Sequence, residues 1–265
     1  MNEAEYRAHP AVNYSTLKHM RKSPLHYRHA VDNPEDSGNE YAMLRAVHAL
    51  VLEPMTAHET IAVWDGRRDK RDKAYCAFLD ANAGKDILNP TEHAQALAVS
   101  AAYSRNSTVQ WLLSLPGTRC EQPHVWTHQC ANLELALKGK PDILHYSAEH
   151  GLIVADLKTC GDTDARLVAS MARKYGWLLQ LAHYTLLAFD LWQLDPTTTP
   201  VHWLTITAED KAPFDCTALS WDAGSIIAAL QEHAALIAQL ERCLLTDQWP
   251  GRGELQVASL SHADA

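Results

Sequence analysis

The sequence is short of three things. It has no Cys-x-x-Cys pair; the six cysteines, at positions 76, 120, 130, 160, 216 and 243, are scattered. That spacing indicates neither a zinc site nor a disulfide framework, and it lacks the clustered thiolates that an iron–sulfur centre needs. There is no apolar run long enough to span a bilayer and no secretory leader, so a cytoplasmic, reducing location without a membrane partner is expected. Positive charge is also in deficit: 23 Lys and Arg against 32 Asp and Glu give a formal charge of −9. Bulk attraction to nucleic acid is thereby excluded, but acidic metal ligands beside a local basic groove are not. Internal repeats and low-complexity segments are absent as well. What is present is globular: 265 residues, 47% hydrophobic and 21% charged, can bury a sizeable core.

One stretch organises the rest, Lys140-Pro141-Asp142 followed by Asp156-Leu157-Lys158. Residues 151–158 read as a strand, with Leu152, Ile153, Val154 and Ala155 apolar after a glycine. Side chains alternate on a strand, so Asp156 and Lys158 share a face with Leu152 and Val154. Asp142 is expected to close the preceding strand. A hairpin around Tyr146–Gly151 would then fold it back beside Asp156. Two carboxylates and a lysine are what metal-dependent phosphodiester hydrolysis needs. Hard oxygen ligands hold Mg²⁺, which can lower the pKa of a bound water, and a lysine can stabilise charge beside it. The plainer reading is a turn aspartate after proline and an exposed Asp–Lys pair.

These residues resemble the PD-(D/E)xK nuclease motif. The surrounding words resemble its RecE-type (exodeoxyribonuclease VIII) branch: Ser15-Thr16-Leu17-Lys18, Ser23-Pro24-Leu25-His26-Tyr27, Val47-His48 through Glu53-Pro54, Lys140-Pro141-Asp142, Asp156 to Thr159, Tyr175 to Gln180 and Ala182-His183-Tyr184. The likeness spans roughly residues 10 to 250. It implies that His48, otherwise a core histidine in a helix over 40–53, is a metal ligand with Asp142 and Asp156. It also implies that Glu121, otherwise a solvent-facing strand glutamate, is the outer acid of the site. Lys158 would position or polarise the attacking water. The family's small residue one turn before the histidine is Leu44 here, followed by Arg45, so local packing is expected to differ.

Along the rest of the chain, Ser15 reads as the N-cap of a short helix, close to Lys18, Arg21 and Lys22. That cluster can bind phosphate or can simply be a solvated basic helix. Related lambda-type exonucleases bind a terminal 5′-phosphate with serine and arginine from a corresponding segment. A second helix is expected from Pro24 and a loop over 32–39. The basic run Arg67 to Lys73 leads into a helix near 72–82, and one or two helices cover 91–115 with a break near 105–107. Residues 119–128, 133–140 and 151–158 are expected to form a three-strand meander. A helix over 173–192 fits a 3.6-residue period. It places Gln180 and Tyr184 on one face, resembling the Gln-x-x-x-Tyr motif that holds DNA and the site in RecB-like and lambda-type enzymes. Strands at 201–207 and 214–220 and a helix over 222–245 follow, then Trp249-Pro250-Gly251.

The expected fold is therefore α/β: a PD-(D/E)xK restriction-endonuclease-like core, a mixed sheet flanked by helices, with a helical N-terminal elaboration. It would be a single domain over 1–255, mainly helical over 1–116 and carrying the nuclease core over 117–250, with a mobile tail at 256–265. By resemblance the activity is Mg²⁺-dependent (Mn²⁺ substituting) 5′-to-3′ exonucleolytic digestion of linear double-stranded DNA. It would leave 3′ strands for a single-strand annealing protein, in a phage- or prophage-derived recombination system. The same resemblance implies a homo-oligomeric ring, trimer or tetramer, around DNA. An endonuclease, a single-strand exonuclease and a non-catalytic DNA-end binding protein are the alternatives.

Overall fold

The computed structural model describes residues 1, 3–34 and 41–253. Part of the loop expected over 32–39 and the whole tail from 256 lie outside the described residues. In chain order, α1 (Glu3–Ala8) and β1 (Val12–Asn13) precede α2 (Tyr14–Leu17), a 3₁₀ turn at Lys18–Arg21 and α3 (Pro24–Asp32). Next come α4 (Ala42–Leu52), α5 (Ala57–Thr60), β2 (Ile61–Val63), α6 (Lys73–Ala81), β3 (Asp86–Leu88), α7 (Pro90–Arg105) and α8 (Ser107–Ser114). The second half holds β4 (Arg119–Cys120), β5 (His124–Gln129), β6 (Glu134–Gly139), β7 (Ile143–Ser147), β8 (Gly151–Cys160), α9 (Ala165–Tyr175), α10 (Trp177–Trp192), β9 (Val201–Glu209), β10 (Cys216–Ser220) and α11 (Ala223–Thr246). Among the described residues no helix is long and apolar enough to cross a membrane.

The main sheet runs β10-β9-β8-β7-β4, with β8 and β9 parallel and the other pairs antiparallel. At its centre, β8 is buried on both sides. Leu152 and Val154 enter a core shared with α10 and α11. Ile153, Ala155 and Leu157 enter another, shared with α4 and α7. Two covered faces explain why this strand reads as an unbroken apolar run. The α/β expectation holds: a mixed sheet with helices on both faces, preceded by a mainly helical half.

The three-strand meander does not form. β5 and β6 pair in a second sheet, of order β1-β6-β5. β7, unforeseen as a strand, takes their place beside β8. Two breaks separate the sheets. Pro141 has no N–H for a ladder and follows the end of β6. Glu121, at φ 50°, turns the chain between β4 and β5. Asp142 therefore precedes β7 rather than closing the strand before it, and the expected return beside Asp156 is made by β7, whose Ile143 pairs with Ala155.

Two helix expectations also change. The helix expected over 173–192 is two helices, because Gly176 adopts a left-handed φ of 75° that ends α9 and opens α10. Asn13, not Ser15, caps α2: its side chain accepts from Thr16 N at 2.8 Å, and Ser15 is exposed within the helix. Asparagine caps as well as serine does, and here it stands at the extended position that a cap requires. The helix at Pro24, capped by Ser23, and the break at Asn106 between α7 and α8 are as expected.

Candidate active site

The site is assembled at one end of the β7–β8 pair. Asp142 Oδ2 accepts from Leu157 N at 2.7 Å, so a side chain next to β7 is bonded into the backbone of β8. Asp156 is 1% exposed. The Lys158 ammonium lies 2.6 Å from Asp156 Oδ2, yet neither Asp156 oxygen accepts a well-formed hydrogen bond. Burial works to lower the Lys158 pKa, but Asp156 and Asp142 outweigh it and hold the ammonium charged.

Around Asp142 gather Glu121 and His48. His48 Nδ1 is 3.4 Å from Glu121 Oε1 and 3.7 Å from Asp142 Oδ1. One ligand-type atom from each of His48, Glu121 and Asp142 lies within 4.8 Å of the others. Burial, reinforced by Asp156 and Glu121, pushes the Asp142 carboxyl up to about 7 against the pull of His48 and Lys158. Burial would lower His48, but Asp142 and Glu121 raise it to about 9. The imidazole still keeps 28% of its surface exposed. Glu121 is fixed twice over. Its N–H reaches Pro141 O and Asp142 O at 3.1 and 3.2 Å, and its Oε2 lies 2.7 Å from Lys140 Nζ. Lys140 is the residue that sequence reading quoted without a role. A lysine directly before Pro141-Asp142 was the signal, but its partner became visible only once β4 lay beside β7.

α10 supplies the other wall. Lys158 Nζ donates to Gln180 Oε1 at 3.0 Å, and Gln180 Nε2 donates to the Tyr184 hydroxyl at 3.1 Å. Gly139 allows this approach: a Cβ there would stand 2.7 Å from Leu187 Cδ1 and 3.3 Å from Tyr184 Cε1. So His48, Glu121, Asp142, Asp156, Lys158, Gln180 and Tyr184 form one connected group.

Ser15, Lys18, Arg21 and Lys22 are not in that group. They lie on and beside the 3₁₀ turn, where the Arg21 guanidinium packs against Gly176 and Arg21 Nε meets Glu232 at 2.7 Å. Tyr14 ties this corner to α10, donating to Gly176 O at 2.7 Å.

Which groups could hold a metal follows from their chemistry. Carboxylates and one imidazole are donors for a hard divalent cation of the Mg²⁺ or Mn²⁺ kind. Asp156, buried and with neither oxygen in a well-formed hydrogen bond, fits the same partner.

Two acids from adjoining strands, a lysine two residues further on and a mixed sheet between helices define the PD-(D/E)xK class. Over residues 13–260 the chain matches the family described as PDDEXK-like domain of unknown function (DUF3799), and it belongs to that family. Membership places the chain in the PD-(D/E)xK superfamily without singling out the RecE-type or lambda-type branch that its words resemble. No curated protein matches the chain. Ten solved chains do. One, a candidate exonuclease from Eubacterium rectale, superposes with a TM-score of 0.61 at 14% identity, covering 96% of this chain and 87% of that one. Another, SSO0001, reaches a TM-score of 0.31 at 13% identity over 75% of this chain and 85% of that one, too distant to bear on the fold. At such identities the first likeness is one of fold. Family and fold together support a nuclease, and PDDEXK-like nucleases typically use a divalent metal.

Proposed function

We propose that the protein is a metal-dependent exonuclease that degrades linear double-stranded DNA from 5′ to 3′. The observation that carries the reading is the Lys158 ammonium held between Asp156 and Gln180, beside His48, Glu121 and Asp142. Asp142, Glu121 and His48, with Asp156 adjoining, would hold the cation. When bound, it would supply an activated water and charge neutralisation at the phosphorus. Lys158 has three donors, of which Asp156 and Gln180 engage two. The third is left to orient the attacking water or meet a phosphate oxygen. Gln180 is thus a positioning residue for Lys158. The Tyr184 hydroxyl accepts from Gln180, so its own proton is left to donate to the substrate strand. Lys140 fixes Glu121 so that its second oxygen faces His48.

Polarity, duplex preference, release of a 3′ strand to an annealing protein and work as a trimeric or tetrameric ring rest on the resemblance of the sequence words. They are part of the same proposal, as is binding of the DNA end by Ser15, Lys18, Arg21 and Lys22. The test is digestion of linear duplex labelled at either end, alongside covalently closed circular DNA, with Mg²⁺ or with chelator. Loss of the 5′ label first, with the circle intact and chelator blocking, is the expected result. Cutting of the circle would make the protein an endonuclease. Digestion confined to single strands would replace the duplex reading. No Mg²⁺-dependent digestion of any DNA would leave only a DNA-end binding protein.

A further inference from the structure

The helix that joins the site to α10 carries charge of one sign. α9 holds Arg166, Arg173 and Lys174 and no acidic residue, in a chain of net charge −9. Arg173 and Lys174 stand exposed in its last turn, and the Lys174 ammonium sits 5.1 Å above the ring of Tyr175, itself 53% exposed. The fold brings a second basic segment to the same place. Arg21 packs against Gly176, the residue after Tyr175, and Lys18 and Lys22 stand exposed on either side of it in the chain. Cations from segments some 150 residues apart in sequence are thus collected at one corner. One acid on α11, Glu232, takes the Arg21 guanidinium.

A plainer use exists for Arg173 and Lys174, since cations in a last turn suit the helix dipole. That use does not account for a second basic segment seated against the same helix end. A polyanion is the partner that suits cations collected from two segments. The corner is also close to the chemistry. Gln180, which holds Lys158, bonds back to Gly176 O at 3.1 Å, one helical turn or about 6 Å of axis away.

We infer that the end of α9 and the 3₁₀ turn at Lys18–Arg21 form one cationic track for the phosphodiester backbone of duplex DNA, leading to the Lys158–Gln180 side of the site. The inference rests on the nuclease reading and adds Arg173 and Lys174 to the substrate path. The phosphate backbone is the part of DNA that such a surface recognises, without regard to sequence.

The experiment measures binding of a duplex oligonucleotide in chelator, where no cleavage occurs, over a series of salt concentrations. Wild type is compared with Arg173→Gln/Lys174→Gln and with the charge-keeping Arg173→Lys/Lys174→Arg. Each phosphate contact contributes about 0.9 to the slope of log affinity on log salt. The glutamine pair is expected to lower that slope by about 1–2 and to weaken binding by about tenfold at low salt. The charge-keeping pair should retain the wild-type slope, whatever either pair does to thermal stability. A glutamine pair with the wild-type slope overturns the track. So does a charge-keeping pair that loses the slope as fully as the glutamine pair, because helix structure and not charge would then be at work. A wild-type protein that binds duplex with this charge dependence yet digests nothing in Mg²⁺ would overturn the nuclease reading and leave the track standing.

Discussion

Two groups of buried polar side chains meet at α10, and they are built differently. In one, His183 and His233 lie buried in the core and bond to one another. His183 Nε2 donates to Lys138 O at 3.0 Å, which leaves its Nδ1 to accept from His233 Nε2 at 3.0 Å. Both rings are neutral, and each bond fixes the tautomer that the other needs. In the other group, Glu121, Asp142 and Asp156 crowd around His48 and Lys158, and Asp156 meets the Lys158 ammonium at 2.6 Å without a well-formed hydrogen bond. The first group is satisfied within the chain. Under the proposed reading the second trades stability for reactivity, since crowded buried carboxylates disfavour folding unless a cation offsets them.

The sharpest way to break the contrast is to neutralise the acids. Asp142→Asn or Asp156→Asn should lower cleavage by about 10³-fold while duplex binding stays within a few-fold, because most phosphate contacts lie elsewhere. The same variants should melt no lower than wild type in chelator. End-labelled digestion, mobility shift and thermal melting check all three, and near-normal digestion at millimolar Mg²⁺ would reject the site. Lys158→Ala should lose about 10²-fold in maximal rate with metal and DNA affinity kept. An affinity defect at unchanged maximal rate would assign it to binding instead.

The histidine pair should behave in the opposite way. His233→Leu leaves His183 Nδ1 without its donor, so it should cost about 1–3 kcal/mol of stability while cleavage stays within a few-fold. Burial holds His183 at about 4, and burial with the neighbouring His183 holds His233 at about 3. Both lie below an unfolded value of about 6.5. The unfolded chain therefore takes up protons that the native pair refuses. Their contribution is complete above pH ~6.5 and is lost as pH falls toward 4 and then 3, by up to about 1.4 kcal/mol per pH unit for each histidine. Denaturant unfolding at pH 7, 6 and 5 should show this slope in wild type and a shallower one in a His183→Leu/His233→Leu variant. Equal slopes would mean that the pair is not buried neutral.

The smallest expected effect is at the basic corner. Wild-type protein should digest 5′-phosphorylated duplex a few-fold faster than 5′-hydroxyl duplex. Ser15→Ala with Arg21→Ala should shrink that preference at fixed ionic strength. Equal loss on both substrates would make the corner general electrostatics, and no preference in wild type would remove end recognition altogether.

The sequence carried the central strand because β8 is apolar on both faces, and it carried Gln180 and Tyr184 because a helical period puts them one turn apart. It did not carry the division between sheets. Leu135 and Leu137 alternate in β6 as they would in either sheet, and only Pro141 and the turned Glu121 mark the change. α9 went unread because its apolar face is just Val168, Met171 and Ala172. His183 lies about 100° round the helix from Tyr184, and its partner His233 lies fifty residues further on, where no local pattern announces it. Lys140 and Glu121 are nineteen residues apart and meet only through β4 and β7.

The bond from Leu157 N–H to Asp142 Oδ2 has a consequence for errors of assembly. If β7 slipped by one residue along β8, its side chains would change face, and Ile143 would stand where Asp142 now meets Asp156. A mispaired chain would lose the bond and the acid pair in the same event. Under the proposed reading, a chain that mispairs these two strands becomes inert and does not turn into a loosely aimed cutter.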